Sequence, residues 1–164
     1  NPHSKFFMIK SSNEDNIYKS IKYRIWCSSF SGNKILNKAF IESKNNYPIY
    51  LFFSVNKSGR IVGLCQMIST VNFNSSFQFW SNEQELKGYF SIVWLHIKDI
   101  PNDVFKNLTN KYNENKSVIF SRNNQEIDPI SGFEMMMTFK EYPLNSSILD
   151  DFLSYEYKHE RVSK

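Results

Sequence analysis

The chain has 164 residues, 41% of them hydrophobic, with fifteen Phe, nine Tyr and three Trp. That is enough apolar material for one domain with a real core, and too much for a disordered tract. A formal net charge of +4 and a pI near 9.0 favour an anionic partner without requiring one. There is no apolar run of the roughly 18 residues that a membrane span needs. Cys27 and Cys65 lack CxxC spacing and point to a reducing compartment. His3, His96 and His159 lie too far apart to suggest a metal site. Asn1-Pro2-His3-Ser4 lacks the charged-then-apolar order of a signal peptide, and the chain reads as an excised module.

Phe6-Phe7-Met8-Ile9-Lys10 is a continuous apolar run closed by a polar cluster and reads as a short buried strand. Ser12 with Asp15 three residues on resembles a capping box. Ile17 and Ile21, at i and i+4, give the following helix its apolar face. That helix ends near Tyr23, which leaves Trp26 and Cys27 on its exit. Ser31-Gly32-Asn33 reads as a turn, and Leu36, Ala39 and Phe40 as the stripe of a second helix.

Ile49 to Val55 is dense in aromatic and branched residues, Asn56-Lys57-Ser58-Gly59 is a turn, and Arg60 to Ile68 returns; the three make a hairpin. Phe73 to Asn82 has no helical stripe and reads as a loop containing Trp80. After Gly88, Tyr89 to Ile100 is apolar in both alternating sets, which predicts a strand buried on both faces, with Trp94 in the core. Pro101 with Asp103, Val104 and Phe105 predicts a short helix. Asn107 to Lys116 reads as a polar loop, and Ser117 to Arg122 as a short strand or extended piece. Asp128 as N-cap and Pro129 at the first helical position start a helix with the stripe Ile130, Phe133, Met136, Met137 and Lys140. Ser147 with Asp150 caps a last helix bearing Ile148, Phe152 and Tyr155, whose positive end suits the Asp150-Asp151 pair. Without repeat or linker, residues 1–164 read as a single α/β domain.

No nucleophile elbow, HExxH, P-loop or dinucleotide glycine fingerprint is present, so no catalytic residue and no cofactor is assigned, and an enzyme is disfavoured. What stands out is Trp in expected loops together with Lys10, Lys22, Arg24, Lys34, Lys57, Arg60 and Arg122. Aromatic faces that stack bases, with cations along the backbone path, are how single-stranded nucleic acids are held. Trp26 therefore has two readings, the wall of a base pocket or core filling.

At these segments the chain resembles the YTH family, whose members read N6-methyladenosine in RNA. The resemblance is carried by Phe6 to Ser11, Ser20 to Ser28, Gly32-Asn33-Lys34, Leu51 to Asn56, Gly63, Trp80-Ser81, Lys87-Gly88-Tyr89-Phe90, Asn115-Lys116 and Ser121-Arg122. Ser147 to Phe152 with Tyr155-Glu156 is similar to the cytoplasmic branch. The resemblance implies an α/β fold of the PUA-like kind, a six-stranded, barrel-like mixed sheet surrounded by helices.

It also implies a site. Trp26, Trp80 and Leu86 form the methyl cage; the backbone carbonyl of Cys27, the side chain of Asn16, Ser12, Asn56 and the main chain near Ser11 contact the base; Lys10, Lys34 and Arg122 face the RNA backbone. Three features depart from the cytoplasmic branch: Leu86 as the third wall, an extra residue between Trp80 and Lys87, and Asn16 where Asp is usual. Ile35 also replaces a basic residue common in the family. The expected function is a non-catalytic reader of N6-methyladenosine in single-stranded RNA, without a membrane, cytoplasmic or else nuclear, with protein partners engaged through regions outside this module. The alternative is a related module that recognises a different modified base.

Overall fold

The computed structural model describes residues 1–75 and 88–163, with side chains for all of these except 159 and 161–163. The central feature is a six-stranded sheet. Strand β1 (Lys5–Ser11) runs parallel to β3 (Ile49–Val55), in register from Lys5 opposite Ile49 to Ser11 opposite Val55. A parallel pair needs a long crossover. Here it is made by α1 (Glu14–Tyr23), the two-residue β2 (Ile25–Trp26) and α2 (Phe30–Ser43). The hairpin partner β4 (Arg60–Met67) and then β5 (Phe90–Pro101) add antiparallel strands. A ribbon of β6 (Thr109–Asn110) and β7 (Lys116–Ser117) lies apart. Strand β8 (Gln125–Ile127) pairs antiparallel with β1, and the sheet order is β2-β5-β4-β3-β1-β8.

The unbroken apolar runs of β1 and β3 are explained by burial on both faces. Phe7, Ile9, Leu51 and Phe53 enter one core with Ile17, Trp26 and Leu36, which come from the crossover. Phe6, Met8 and Phe52 enter a second core, completed by Phe105, Val118 and by Met135 and Phe139 of α3 (Pro129–Glu141).

Several expectations need correction. Strand β5 is not buried on both faces: Val93 is 43% and Leu95 42% exposed. Among the described residues, β5 pairs on its outer side with β2 alone, at Phe90 and Ser91. Trp94 is partly buried and packs against the core, its ring 4.7 Å from that of Phe53. The cap of α1 is Asn13, not Ser12, because β1 extends through Ser11; the Asn13 side chain accepts from the Asn16 N–H at 2.8 Å, and Asp15 pairs with Lys19. Ser31-Gly32-Asn33 is the first turn of α2, because Ser29 caps it by accepting from the Gly32 N–H. Ser117 to Arg122 is not a strand beyond β7; residues Val118–Phe120 form a 3-10 turn.

The buried face of α3 is Ser131, Gly132, Met135 and Phe139, leaving Ile130 and Phe133 more than half exposed. The cause is Gly132: a Cβ there would lie 2.3 Å from Cγ of Phe6, so the missing side chain sets which face meets the sheet. The starts of α3 and of the last helix match expectation. Asp128 caps α3 by accepting from the Ser131 N–H, and Ser147 with Asp150 forms a capping box. That box opens a 3-10 turn, Ile148–Asp151, which leads into α4 (Phe152–Ser163).

Helix α4 is fastened to α1 by a reciprocal pair. The Tyr18 hydroxyl donates to Glu156, and the Tyr155 hydroxyl donates to Glu14 at 2.6 Å, while the two rings stack at 5.0 Å. Burial, and then the neighbouring carboxylates, push both phenols above their ordinary pKa. Each phenol thus holds its proton more tightly in the folded state. This stabilisation is complete below the unfolded tyrosine pKa of about 10 and is lost as pH rises past it towards the raised folded value. Replacing Tyr155→Phe is expected to cost about 1–3 kcal/mol in urea unfolding at neutral pH. The variant's stability should also decline less steeply than that of the parent above about pH 10; an equal slope would remove the phenol from the account.

Candidate nucleic-acid interface

The ends of β1 and β3 meet the first turn of α1 and the exit of β2 at one end of the sheet. Between them is a pocket of about 250 Å³. Seven of the residues expected from the sequence line it: Lys10, Ser11, Ser12, Asn16, Trp26, Cys27 and Asn56. Ser28, Ser29 and Asn123 complete the lining. These groups are amides, hydroxyls, a thiol, an indole and one amine, with no carboxylate or imidazole among them.

Trp26 belongs both to the core and to the pocket lining, and is 5% exposed. Its ring stands edge-on to Phe53, 4.9 Å between centroids at 88°. Trp94 backs Phe53, and the approach of Trp94 requires Gly63, where a Cβ would fall 2.5 Å from Cζ3 of that indole. The backbone on either side of Trp26 is pinned as well. Arg24 leaves α1 in the left-handed region (φ 59°) and its carbonyl accepts from the Ile92 N–H.

The polar floor is held by buried hydrogen bonds. The Ser28 N–H donates to Asn33 Oδ1 at 3.0 Å, and the Ser28 hydroxyl donates to Asn124 Oδ1 at 2.9 Å. Asn124 is itself fixed by its N–H to the Met8 carbonyl. The Lys10 N–H donates to Asn123 Oδ1, and the Asn56 N–H to the Ser11 carbonyl, which ties the hairpin turn to the end of β1. The Lys10 amine has no carboxylate within ion-pair distance among the described residues, and burial lowers its pKa.

The other two expected cations lie outside the pocket. Lys34 holds its amine 4.5 Å over the ring of Phe30 and lines a neighbouring hollow. Arg122 is exposed, its N–H donating to Gln125 Oε1, and it directly precedes Asn123. Trp80 and Leu86 fall outside the described residues. Ser29, Asn123 and the buried Asn124 were not singled out by the sequence. The Asn123-Asn124 pair, a polar doublet at a turn, is the signal that marks them, since Asn tolerates the left-handed φ of 65° that Asn124 adopts.

The described residues form a small mixed α/β domain with an indole-walled, amide-lined pocket at the end of its sheet. The model of the YT521-B-like (YTH) domain matches residues 4–140. The YTH domain-containing protein ECT1 of Arabidopsis thaliana is 43% identical over 162 residues, covering 97% of this chain and 38% of that protein. The Pho92 YTH domain solved in complex with m6A superposes with a TM-score of 0.84 at 34% identity, over 89% of this chain and 91% of the other. The YTH domain of Zygosaccharomyces rouxii MRB1, solved in complex with N6-methyladenosine RNA, gives 0.80 at 34% identity, over 87% and 91%. The chain belongs to the YTH family. It spans 24–38% of the length of its four Arabidopsis thaliana relatives.

Gly32 is where the floor is most sensitive. A Cβ there would lie 2.2 Å from Asn124 Nδ2 and 2.6 Å from Ser28 Oγ. Gly32→Ala should therefore separate Ser28 from Asn124 and destabilise the fold by about 1–3 kcal/mol, as overpacking does. The check is the denaturant midpoint at unchanged m-value; an unchanged midpoint would mean that the floor yields freely.

Proposed function

We propose that this domain binds N6-methyladenosine in single-stranded RNA as a reader and does no chemistry on it. The observation that carries the reading is Trp26, one indole shared between the core and a pocket whose lining, among the described residues, is otherwise polar and uncharged except for Lys10. The resemblance to proteins solved with this ligand supports it.

The methylated amine of adenine is neutral, so no cation–π attraction contributes. The methyl gains from contact with aromatic and aliphatic faces and from leaving water. One buried methyl is worth about 0.8 kcal/mol by transfer, and discrimination by a methyl in an apolar pocket reaches roughly 1–3 kcal/mol. In this reading the base stacks on Trp26, and Trp80 and Leu86 close the cage around the methyl. The Cys27 carbonyl accepts the remaining amine hydrogen. The Asn16 amide donates to the unprotonated ring nitrogen, which a carboxylate could meet only when protonated. Ser11, Ser12 and Asn56 supply further polar contacts to the base, and Lys10, Lys34 and Arg122 meet phosphates.

Among the described residues the lining has no carboxylate or imidazole, so none of them offers a general acid–base pair. The cytoplasm is the compartment that the reading favours, with the nucleus as the alternative. In this reading, target choice and protein partners depend on regions outside this module.

The test is a titration of one short single-stranded RNA, with and without a single N6-methyladenosine, at one fixed salt concentration because phosphate contacts make affinity salt-dependent. The parent should prefer the methylated strand by roughly 10- to 100-fold. Trp26→Ala should abolish that preference, but loss of a core Trp also costs about 3–5 kcal/mol. Trp80→Ala, checked for an unchanged melting profile, is the companion variant. Equal binding of both strands by the parent would sink the reading, and preference for another modified base would replace it with the alternative.

A further inference from the structure

Next to the pocket, on the exposed side of α2, lies a second hollow of about 560 Å³, of whose lining the expected site uses Lys34 alone. Its walls are the rings of Phe30 and Phe73, 5.9 Å apart and close to perpendicular. Phe30 is 57% exposed, an unusual position for a phenylalanine with no structural duty on its outer face. The hollow is continuous with the pocket along the chain: Ser29 lines the pocket, and Phe30, the next residue, opens the hollow. From Phe30 the helical repeat places Lys34 and Lys38 at i+4 and i+8, on the same stripe of α2. Both line the hollow. Glu42 ends the row, pairing weakly with Lys38 at 3.9 Å.

We propose that the Phe30 ring stacks the base of a nucleotide flanking the modified one, with Lys34 and Lys38 facing its phosphates; this rests on the reading of the pocket as the seat of the modified base. Stacking on exposed aromatic rings beside a short row of cations is how single strands are held without sequence preference. The Lys34 amine now covers the Phe30 ring at 4.5 Å. A cation over an exposed ring is a weaker interaction than a stacked base, so a base displaces it and leaves the lysine for the phosphate. Because Glu42 closes the row after two lysines, the track holds one or two nucleotides rather than a long tract. Every base offers a π-face, so the subsite requires that a base be present and is indifferent to which one.

The experiment compares the parent with Phe30→Ala, whose exposed position on a helix makes an unchanged melting profile the expected control. Three ligands are titrated: methylated RNA, the same RNA with an abasic unit on either side of the modified base, and free N6-methyladenosine nucleoside. Phe30→Ala should weaken binding of the methylated RNA by roughly tenfold, the loss of one stacked base. Nucleoside binding and the ratio of methylated to unmodified RNA affinity should not change. An abasic unit on one side should weaken the parent by the same factor and the variant no further. Lys34→Ala should lower the slope of log affinity against log salt by about 0.7, one single-strand phosphate contact.

Equal RNA affinity of parent and Phe30→Ala overturns the proposal, including the case in which the hollow proves to dock a protein segment. So does a parallel loss of nucleoside binding, which would mean that Phe30 acts through the pocket. A parent without methyl preference sinks the reader assignment instead, and the abasic comparison then still reports whether Phe30 stacks a base.

Discussion

The edge-on contact of Trp26 with Phe53 is the constraint on which the site depends. An indole used only as core filling could tilt to suit its neighbours, and one used only as a wall could swing freely. Trp26 does both, so its orientation has to be set from behind. Phe53 is fully buried at the centre of β3, and Trp94 presses on it from the next strand but one, across the gap left by Gly63. Edge-to-face aromatic pairs are worth about 0.5–1.5 kcal/mol beyond their burial, which is enough to select one orientation of the ring. The sheet thus behaves as a rigid backing for a single exposed face of one residue.

The polar half of the pocket is built on a different principle. Its positions are fixed by backbone groups that the loops leave over where β1 and β3 end. Asn33 and Asn124 each accept from Ser28, one from its N–H and one from its hydroxyl, and Asn124 anchors to Met8 on β1. Such a buried network is stabilising only when each member is satisfied, and then it specifies a single arrangement. Gly32 is part of that specification because any side chain would occupy the space that Asn124 needs. Lys10 completes the lining: it is partly buried, with no carboxylate within ion-pair distance among the described residues.

The sequence disclosed those parts of the structure whose cause is local. The runs of β1 and β3, the hairpin at Asn56, the Asp128-Pro129 start and the Ser147 capping box all follow from residues within a few positions of one another. It misled where the cause is distant. The stripe of α3 was misread because Phe6, far away in the chain, fits only over Gly132. Gly32 looked like a turn because its need for space comes from Asn124, some ninety residues on. Strands β2 and β8, two and three residues long, exist only because an edge is offered to them, and no pattern of that length can announce itself. Seven of the residues reached through family resemblance line the pocket, while Lys34 and Arg122 lie outside it; Ser29, Asn123 and Asn124 escaped because their roles lie in what they hold in place.

The extent of the domain shows the same dependence on distant contacts. The family match ends at residue 140, yet Ile148 and Tyr155 lie in the same core as Trp26 and are each 5% exposed. Tyr155 stacks on Tyr18 and holds Glu14, while Glu156 meets Tyr18 and Lys22, so the last helix grips α1 at both ends. Asn16 is carried on that same helix, between Glu14 and Tyr18. A helix of ten residues is not rigid by itself. The tail therefore acts on the pocket without touching it: it fixes the axis of α1, and with it the position of Asn16 in the pocket lining.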